Sequence, residues 1–294
     1  MTMRARFYAL AGEALVRDER VAIVTAEIGS RELPRHPRHF NVGIREQLMI
    51  GVAGGLALEG YRAIAHSYTP FLIERPYEQI KLDLGHQGVG AVLVSAGASY
   101  DAARAGRTHQ APEDVAVLAA LPGWTIHVPG HSDELERAFA DALARDDCVY
   151  IRMSEESNRA AFDGRKLVLL RTGSDATPLV VAVGPTLDQV LEATAGLDVS
   201  VAYLATVRPF DRDGLRAALR GTEVVLVEPT LAGTSAAEIS AALSDRPHRL
   251  LALGVRNPEL RRYGTPAEHR AAQGLDAAGI RASIADWLEG RNLV

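Results

Sequence analysis

Two side chains in this chain have the type and setting to move protons: the carboxylate of Glu46, which ends the stretch RHFNVGIRE (Arg38–Glu46), and the imidazole of His109 in RTHQ (Arg107–Gln110). Asn41 and Gly43 read as a tight turn, and Ile44, Leu48, Val52 and Leu56 then recur at helical spacing. That spacing predicts a helix over Ile44–Leu58 with Glu46 in its first turn. Two accounts of Glu46 stand at this point. An acidic first-turn residue complements the positive end of any helix, and a carboxylate at a junction with little structural reason for a charge also suits a functional role. Gly51, Gly54 and Gly55 weaken that helix unless its backbone approaches something closely. An imidazole ordinarily titrates near neutral pH, which fits His109 to acid–base work. Of the nine histidines, His36, His39 and His269 sit in polar or Pro- and Arg-rich surroundings and read as surface groups. His66 either lines a pocket ahead of Phe71 or is a satisfied, half-buried histidine.

The elements that would position these groups alternate. Val21–Thr25, Val89–Ser95, Trp124–Val128 and Val149–Met153 read as buried strands, with helices over Arg4–Val16, Ile44–Leu58, Pro112–Leu121 and Asp133–Ala144. Alternation of this kind predicts a parallel sheet covered on both faces. The polar run SEESNRAAFDG (Ser154–Gly164) reads as a linker. The pattern then restarts, with strands at Leu179–Val183, Val199–Leu204, Val224–Val227 and Leu250–Leu253, helices beginning near Leu187, Asp213 and Ser235, and a last helix to Leu288. The fold class is therefore α/β, as two consecutive domains over 1–160 and 165–294, each a largely parallel sheet flanked by helices. Pro70 and Pro76 bracket the segment between Ser67 and Ile80 and argue against one simple helix through it.

With 294 residues, 47% of them hydrophobic, the chain can bury the cores of two domains. A net charge of −5 and the lack of a basic tract give no footprint for nucleic acid or an anionic membrane. The single cysteine, Cys148, excludes a disulfide framework and reads as a structural thiol in an apolar stretch. The N-terminal segment MTMRAR leads into an amphipathic helix interrupted by Glu13 and Arg17, so neither a signal peptide nor a membrane span is expected, and a cytoplasmic location follows as an expectation.

FNVGIREQ, SYTPFLIERPYEQI (Ser67–Ile80) and GRTHQAPEDVAVL (Gly106–Leu118) occur in the order seen in the pyrimidine-binding domain of transketolases and 1-deoxyxylulose-5-phosphate synthases, which this chain resembles. ATVRPFD (Ala205–Asp211), VEPTLAGTSAAEI (Val227–Ile239) and GLDAAGI (Gly274–Ile280) resemble the C-terminal domain of the same enzymes, so nearly the whole chain is covered. The resemblance implies thiamine diphosphate as cofactor, with Glu46 at the position of the glutamate that hydrogen-bonds the aminopyrimidine and favours the tautomer that deprotonates the thiazolium carbon. Enclosure in an apolar pocket would help such a carboxyl hold a proton. Ile44, Phe71 and Tyr77 fall where the family lines the pyrimidine, although an aromatic in an α/β domain is also ordinary core material. Glu74 stands where transketolases commonly carry a further aromatic. His109 matches the histidine of the family's THQ loop, beside the reacting centre, and with Thr108, Gln110, Arg107, His66 and Arg152 makes up the expected substrate contacts.

No GDG motif, which with a downstream asparagine holds Mg2+ and the diphosphate in this family, occurs in the chain; Phe162-Asp163-Gly164 is the nearest string and lies in the linker. The resemblance thus implies no metal ligands here, and a partner subunit that binds the diphosphate and Mg2+. An α2β2 heterotetramer, as in split transketolases and 2-oxoacid dehydrogenase decarboxylating components, is the implied assembly. Three readings compete: the pyrimidine-binding subunit of a transketolase-like transferase moving a two-carbon ketol or acyl unit, the beta subunit of a 2-oxoacid dehydrogenase component or a deoxyxylulose phosphate synthase-like acyloin former, and a non-catalytic scaffold or regulator. THQ, TVRPFD and GLDAAGI fit the first better, and retention of Glu46 with His109 argues against the third. Departures from the phosphosugar enzymes point away from a conventional sugar phosphate. Ala105 replaces an aspartate, Gly97 a histidine, and Glu155 stands near the place of a phosphate-gripping arginine. A small or carrier-bound acceptor, in specialised metabolism, is the resulting expectation.

Overall fold

A computed structural model describes residues 1–290; the expected end of the second domain, 291–294, lies outside the described residues. The first part of the chain runs α1 (Met3–Arg17), β1 (Val21–Thr25), β2 (His39–Asn41), α2 (Glu46–Leu58), β3 (Arg62–Tyr68), α3 (Tyr77–Gln79), β4 (Ala91–Ala96), α4 (Asp114–Ala119), β5 (Thr125–His127), α5 (Ser132–Leu143) and β6 (Val149–Arg152). Two π-helical stretches, Pro70–Glu74 and Ile80–His86, flank α3. The remainder runs β7 (Val168–Arg171), β8 (Leu179–Val183), α6 (Leu187–Ala193), β9 (Ser200–Leu204), β10 (Thr206–Arg208), α7 (Arg212–Ala218), β11 (Glu223–Leu231), α8 (Ala236–Ala242), β12 (Arg249–Val255), α9 (Pro266–Ala272) and α10 (Ala277–Leu288). Among the described residues no helix is long and apolar enough to cross a membrane.

The first sheet has the order β10-β5-β6-β4-β3-β1-β2 and the second β12-β11-β8-β9-β7. Both are parallel except at one edge, where β10 and β7 run antiparallel to their neighbours. The strands β1, β4, β6, β8 and β9 are buried along their whole length, as strands covered on both faces must be. Phe7 and Leu15 of α1 pack with Phe139 of α5 on one face of the first sheet. Met49 and Ile50 of α2, Leu72, Ile73 and Leu84 pack on the other, in an apolar cluster that continues into Leu179, Val181 and Leu226 of the second sheet.

Four strands went unread in the sequence, and β3 is the instructive one. It is central, yet Arg62, His66 and Ser67 interrupt its apolar run. The fold meets the first two with backbone carbonyls: Arg62 donates from Nε to Ala142 O (2.9 Å) and from Nη1 to Asp147 O (2.7 Å), leaving Nη2 buried without a partner among the described residues, and His66 Nδ1 lies 2.7 Å from Val94 O. The prolines around the next segment do not simply break it. They bracket a π-helical turn in which Arg75 N donates to Pro70 O at 3.0 Å, a spacing that widens the helix and re-aims its side chains.

The helix α2 begins at Glu46, two residues later than the apolar spacing predicts. Its buried face is Glu46, Met49, Ile50, Ala53 and Gly54, whereas Ile44 (73% exposed) and Leu48 (48%) face outward. Gly54 explains itself: a Cβ there would sit 2.5 Å from Asp83 O, so the second π-helical stretch crosses α2 in backbone contact.

Candidate active site

The turn into α2 is built by Asn41, whose Oδ1 accepts from Glu27 N (3.0 Å) and Gly43 N (3.1 Å), with Gly43 at φ +71°. That turn delivers Glu46 into a nearly closed setting, with its side chain 2% exposed. The setting is not simply apolar. Arg75, at the end of the π-helical turn, donates from Nη1 to Glu46 Oε2 at 2.7 Å and is itself 38% exposed. Oε1 has no protein partner among the described residues. The guanidinium carbon of Arg75 lies 4.2 Å from the centroid of the Phe71 ring, a cation–π contact that fixes its direction.

Phe71 carries the arrangement onward. Its ring centroid is 5.0 Å from that of His109 at 73°, and His109 is 5.8 Å from Tyr68 at 74°. Thr108 Oγ1 meets His109 Nδ1 at 2.9 Å, which orients the ring and leaves Nε2 without a protein partner among the described residues. The structure thus brings Glu46, Phe71 and His109 together from three segments, with Thr108 exposed at the edge.

The other expected residues lie elsewhere or do something else. Arg107 is pinned: Nη2 to Glu113 (2.5 Å), Nη1 to Gln110 O (2.6 Å) and Nε to Glu259 (2.8 Å), so it ties the histidine loop to the segment after β12. Gln110 is buried, and its Nε2 has no partner among the described residues. Tyr77 is half-buried on α3, and Ile44 lies on the exposed surface ahead of α2. His66 is fully buried in β3, packed on Phe7 at 4.8 Å and reached by Tyr8 OH at 3.2 Å; burial pushes its pKa down to about 4, so it stays neutral. Arg152 is 1% exposed and bound to Asp114 (2.7 Å) and Ser99 (2.6 Å), apart from the Glu46 cluster. His269, read as a surface group, is buried and stacked on Tyr100 at 6.2 Å. Cys148 is half-buried, and burial raises its thiol pKa.

Sequence reasoning missed Arg75, Tyr68, Arg4 and the state of Glu74. Arg4 donates to Tyr8 OH (2.8 Å) and Tyr68 OH (3.2 Å), so it braces the aromatic ring next to His109. The neighbouring Glu74 is exposed, yet partial desolvation, and then the Glu113 carboxylate, push its carboxyl up to about 7. The cation at Arg75 falls four residues after Phe71, and that i, i+4 spacing was the available signal for it.

The donor set suits an aminopyrimidine. A shielded carboxylate with one free oxygen can meet a ring nitrogen, and Phe71 supplies an aromatic wall beside it. Among the described residues no group of three or more His, Cys, Asp or Glu side chains could hold a metal ion.

The family descriptions "Transketolase, pyrimidine binding domain" and "Transketolase, C-terminal domain" match residues 1–160 and 165–286. An "Uncharacterized 33.6 kDa protein in fasciation locus" of Rhodococcoides fascians is 48% identical over 94% of this chain and 91% of its own length. The "6-deoxy-6-sulfo-D-fructose transketolase subunit SqwH" of Clostridium sp. (strain MSTE9) is 31% identical over 87% of this chain and 85% of its own. A 1-deoxy-D-xylulose-5-phosphate synthase of Verminephrobacter eiseniae is 30% identical over 84% of this chain and 42% of its own. A solved structure described as "Split gene transketolase, inactive beta4 tetramer" superposes with a TM-score of 0.80 at 21% identity, over 99% of both chains.

Proposed function

Because this chain belongs to the transketolase family, carrying its pyrimidine-binding and C-terminal domains in one polypeptide, we propose that it is the cofactor-activating subunit of a thiamine diphosphate-dependent transferase that moves a two-carbon ketol or acyl unit. The observation that carries this reading is Glu46, a buried carboxylate with a free Oε1 at the start of α2, joined through Arg75 and Phe71 to His109. The cofactor, when bound, supplies the carbanion and the electron sink. Glu46 would hold its aminopyrimidine end and share a proton at the ring nitrogen, with Oε2 kept in place by Arg75. Phe71 would lie against the ring and exclude water. His109, oriented by Thr108, would present Nε2 to the substrate's oxygen as acid or base.

Mg2+ and the diphosphate are assigned to a partner subunit in an α2β2 assembly, because the chain has no GDG motif. The subunit wording in the SqwH name supports a split arrangement. Similarity to a deoxyxylulose phosphate synthase keeps acyloin formation from a 2-oxoacid as the second reading. The deciding experiment is hydrogen–deuterium exchange at C2 of the cofactor in the complex reconstituted with the diphosphate-binding subunit. Exchange that is fast with the native chain and slow with Glu46→Gln supports the assignment, and equal exchange in both refutes it. Product analysis with hydroxypyruvate against pyruvate separates the two readings.

A further inference from the structure

Beyond the Tyr68 ring lies a second space. A cavity of about 240 Å³ is lined by Arg4, Gly97, Met153, Ser154 and Glu155 among others. At roughly 30 Å³ per water it holds about eight non-hydrogen atoms, more than a two-carbon fragment requires. Gly97, at φ +74°, gives it its shape: a Cβ there would sit 2.7 Å from Tyr68 Cδ1. Tyr68, which lies against Gly97 of the cavity wall, also stands 5.8 Å from the His109 ring, so it is a neighbour of both the cavity and the histidine.

The lining has a definite charge pattern. Arg4 is held rigidly by its bonds to Tyr8 and Tyr68 and lies over both rings, at 5.6 and 5.4 Å, while Nη2 keeps no protein partner among the described residues. Glu155 is fixed by its backbone, whose N–H donates to Asp101 Oδ2 at 2.9 Å, and its own carboxylate has no hydrogen-bond or ion-pair partner among the described residues. Ser154 Oγ lies 3.1 Å from Asp101 Oδ1. One fixed guanidinium and one free carboxylate thus share the cavity.

We propose that this cavity holds the far end of the substrate and selects a terminus with a single negative charge, a carboxylate or a sulfonate, over a phosphate dianion. The inference rests on the reading that two-carbon transfer occurs at the Glu46–His109 site. A monoanion neutralises Arg4 and leaves Glu155 free to accept from substrate hydroxyls. The second charge of a phosphate has no further cation among the lining residues to meet and is repelled by Glu155, an exposed carboxylate that also lines the cavity, a penalty of roughly tenfold in affinity.

Saturation-transfer NMR on the reconstituted complex, with butyrate, propanesulfonate and propyl phosphate as probes, tests this without turnover. The expected order places both monoanions at least about tenfold tighter than propyl phosphate, and the two monoanion arms show which of them the cavity prefers. Glu155→Arg is expected to invert the order in favour of phosphate, and Arg4→Gln to weaken both monoanions at least about tenfold. Tightest binding of phosphate to the native complex, or an unchanged order in Glu155→Arg, overturns the subsite. Exchange at C2 in the native complex gauges the underlying reading separately. Normal exchange with a failed anion order removes the subsite alone; absent exchange removes the transfer reading, and the anion order still decides the subsite.

Discussion

Two ion pairs in this molecule, Glu46–Arg75 and Asp114–Arg152, have the same 2.7 Å separation and differ in what surrounds them. Arg152 and Asp114 are 1% and 0% exposed, and Tyr150 OH adds a bond to the same Asp114 oxygen at 2.6 Å. The pair is sealed between β6 and α4, where a guanidinium and a carboxylate hold two elements in register. Glu46 is equally shielded, and like Asp114, whose Oδ1 is buried without a partner among the described residues, it keeps one carboxylate oxygen unpaired; the difference is that its partner Arg75 is 38% exposed, which leaves one side of the pair open. A pair closed on all sides is fastened to the fold; a pair with one open side has capacity left for a ligand. Arg152, one of the two arginines expected at the substrate, belongs to the first kind, and Arg75 belongs to the second.

The largest effect expected from this contrast is on chemistry. Glu46→Gln should slow C2 exchange by about 10³-fold while circular dichroism and assembly stay native. A loss of folding comparable to the loss of exchange would erase the distinction between the pairs. The converse holds for Arg152→Met, which strands Asp114 as a buried, unpaired charge. It should cost about 3–5 kcal/mol in urea unfolding. If the purified variant unfolds like the native chain yet loses turnover, Arg152 belongs to the site after all.

Arg75→Met is intermediate. Water can reach the vacated side, so the stability cost should be about 1 kcal/mol, with roughly a tenfold loss in exchange. The smallest effect is at Glu74, whose folded pKa of about 7 lies above its ordinary 4.5. The folded state then binds this proton more tightly than the unfolded chain, so ionisation with rising pH removes stability. Glu74→Gln should therefore be the more heat-stable protein at pH 8, by no more than about 2 °C, with the gap opening above about pH 4.5 and levelling off past about 7. A pH-independent gap would contradict the raised pKa of Glu74.

Much of the framework was legible because its signals are local. Val21–Thr25 and Leu179–Val183 are apolar runs bounded by polar residues and match the observed strands at both ends. The edge strands β2, β7 and β10 are short and half-exposed or polar, and they exist because a neighbour offers ladder partners. His269 was misplaced because Glu268 and Arg270 flank it on α9; only the packing against Tyr100 shows that this one position faces inward. At the site, Glu46 and His109 stand in recognisable strings, but their connection does not. Arg75 reaches Glu46 across 29 positions and Arg4 reaches Tyr68 across 64, distances at which no periodic pattern speaks.

The strand β10 has a consequence for how the molecule comes apart. It belongs by sequence to the second half, yet Thr206 and Arg208 pair with His127 and Ile126 of β5, and Thr206 Oγ1 meets His127 Nδ1 at 2.9 Å. Separating the halves therefore means unzipping a sheet edge and exposing the apolar cluster that runs beneath both. A chain cut within the linker would leave β5 as a bare edge, an invitation to self-association. The two halves should accordingly melt in one transition, as a single cooperative unit, even though evolution and sequence divide them into two.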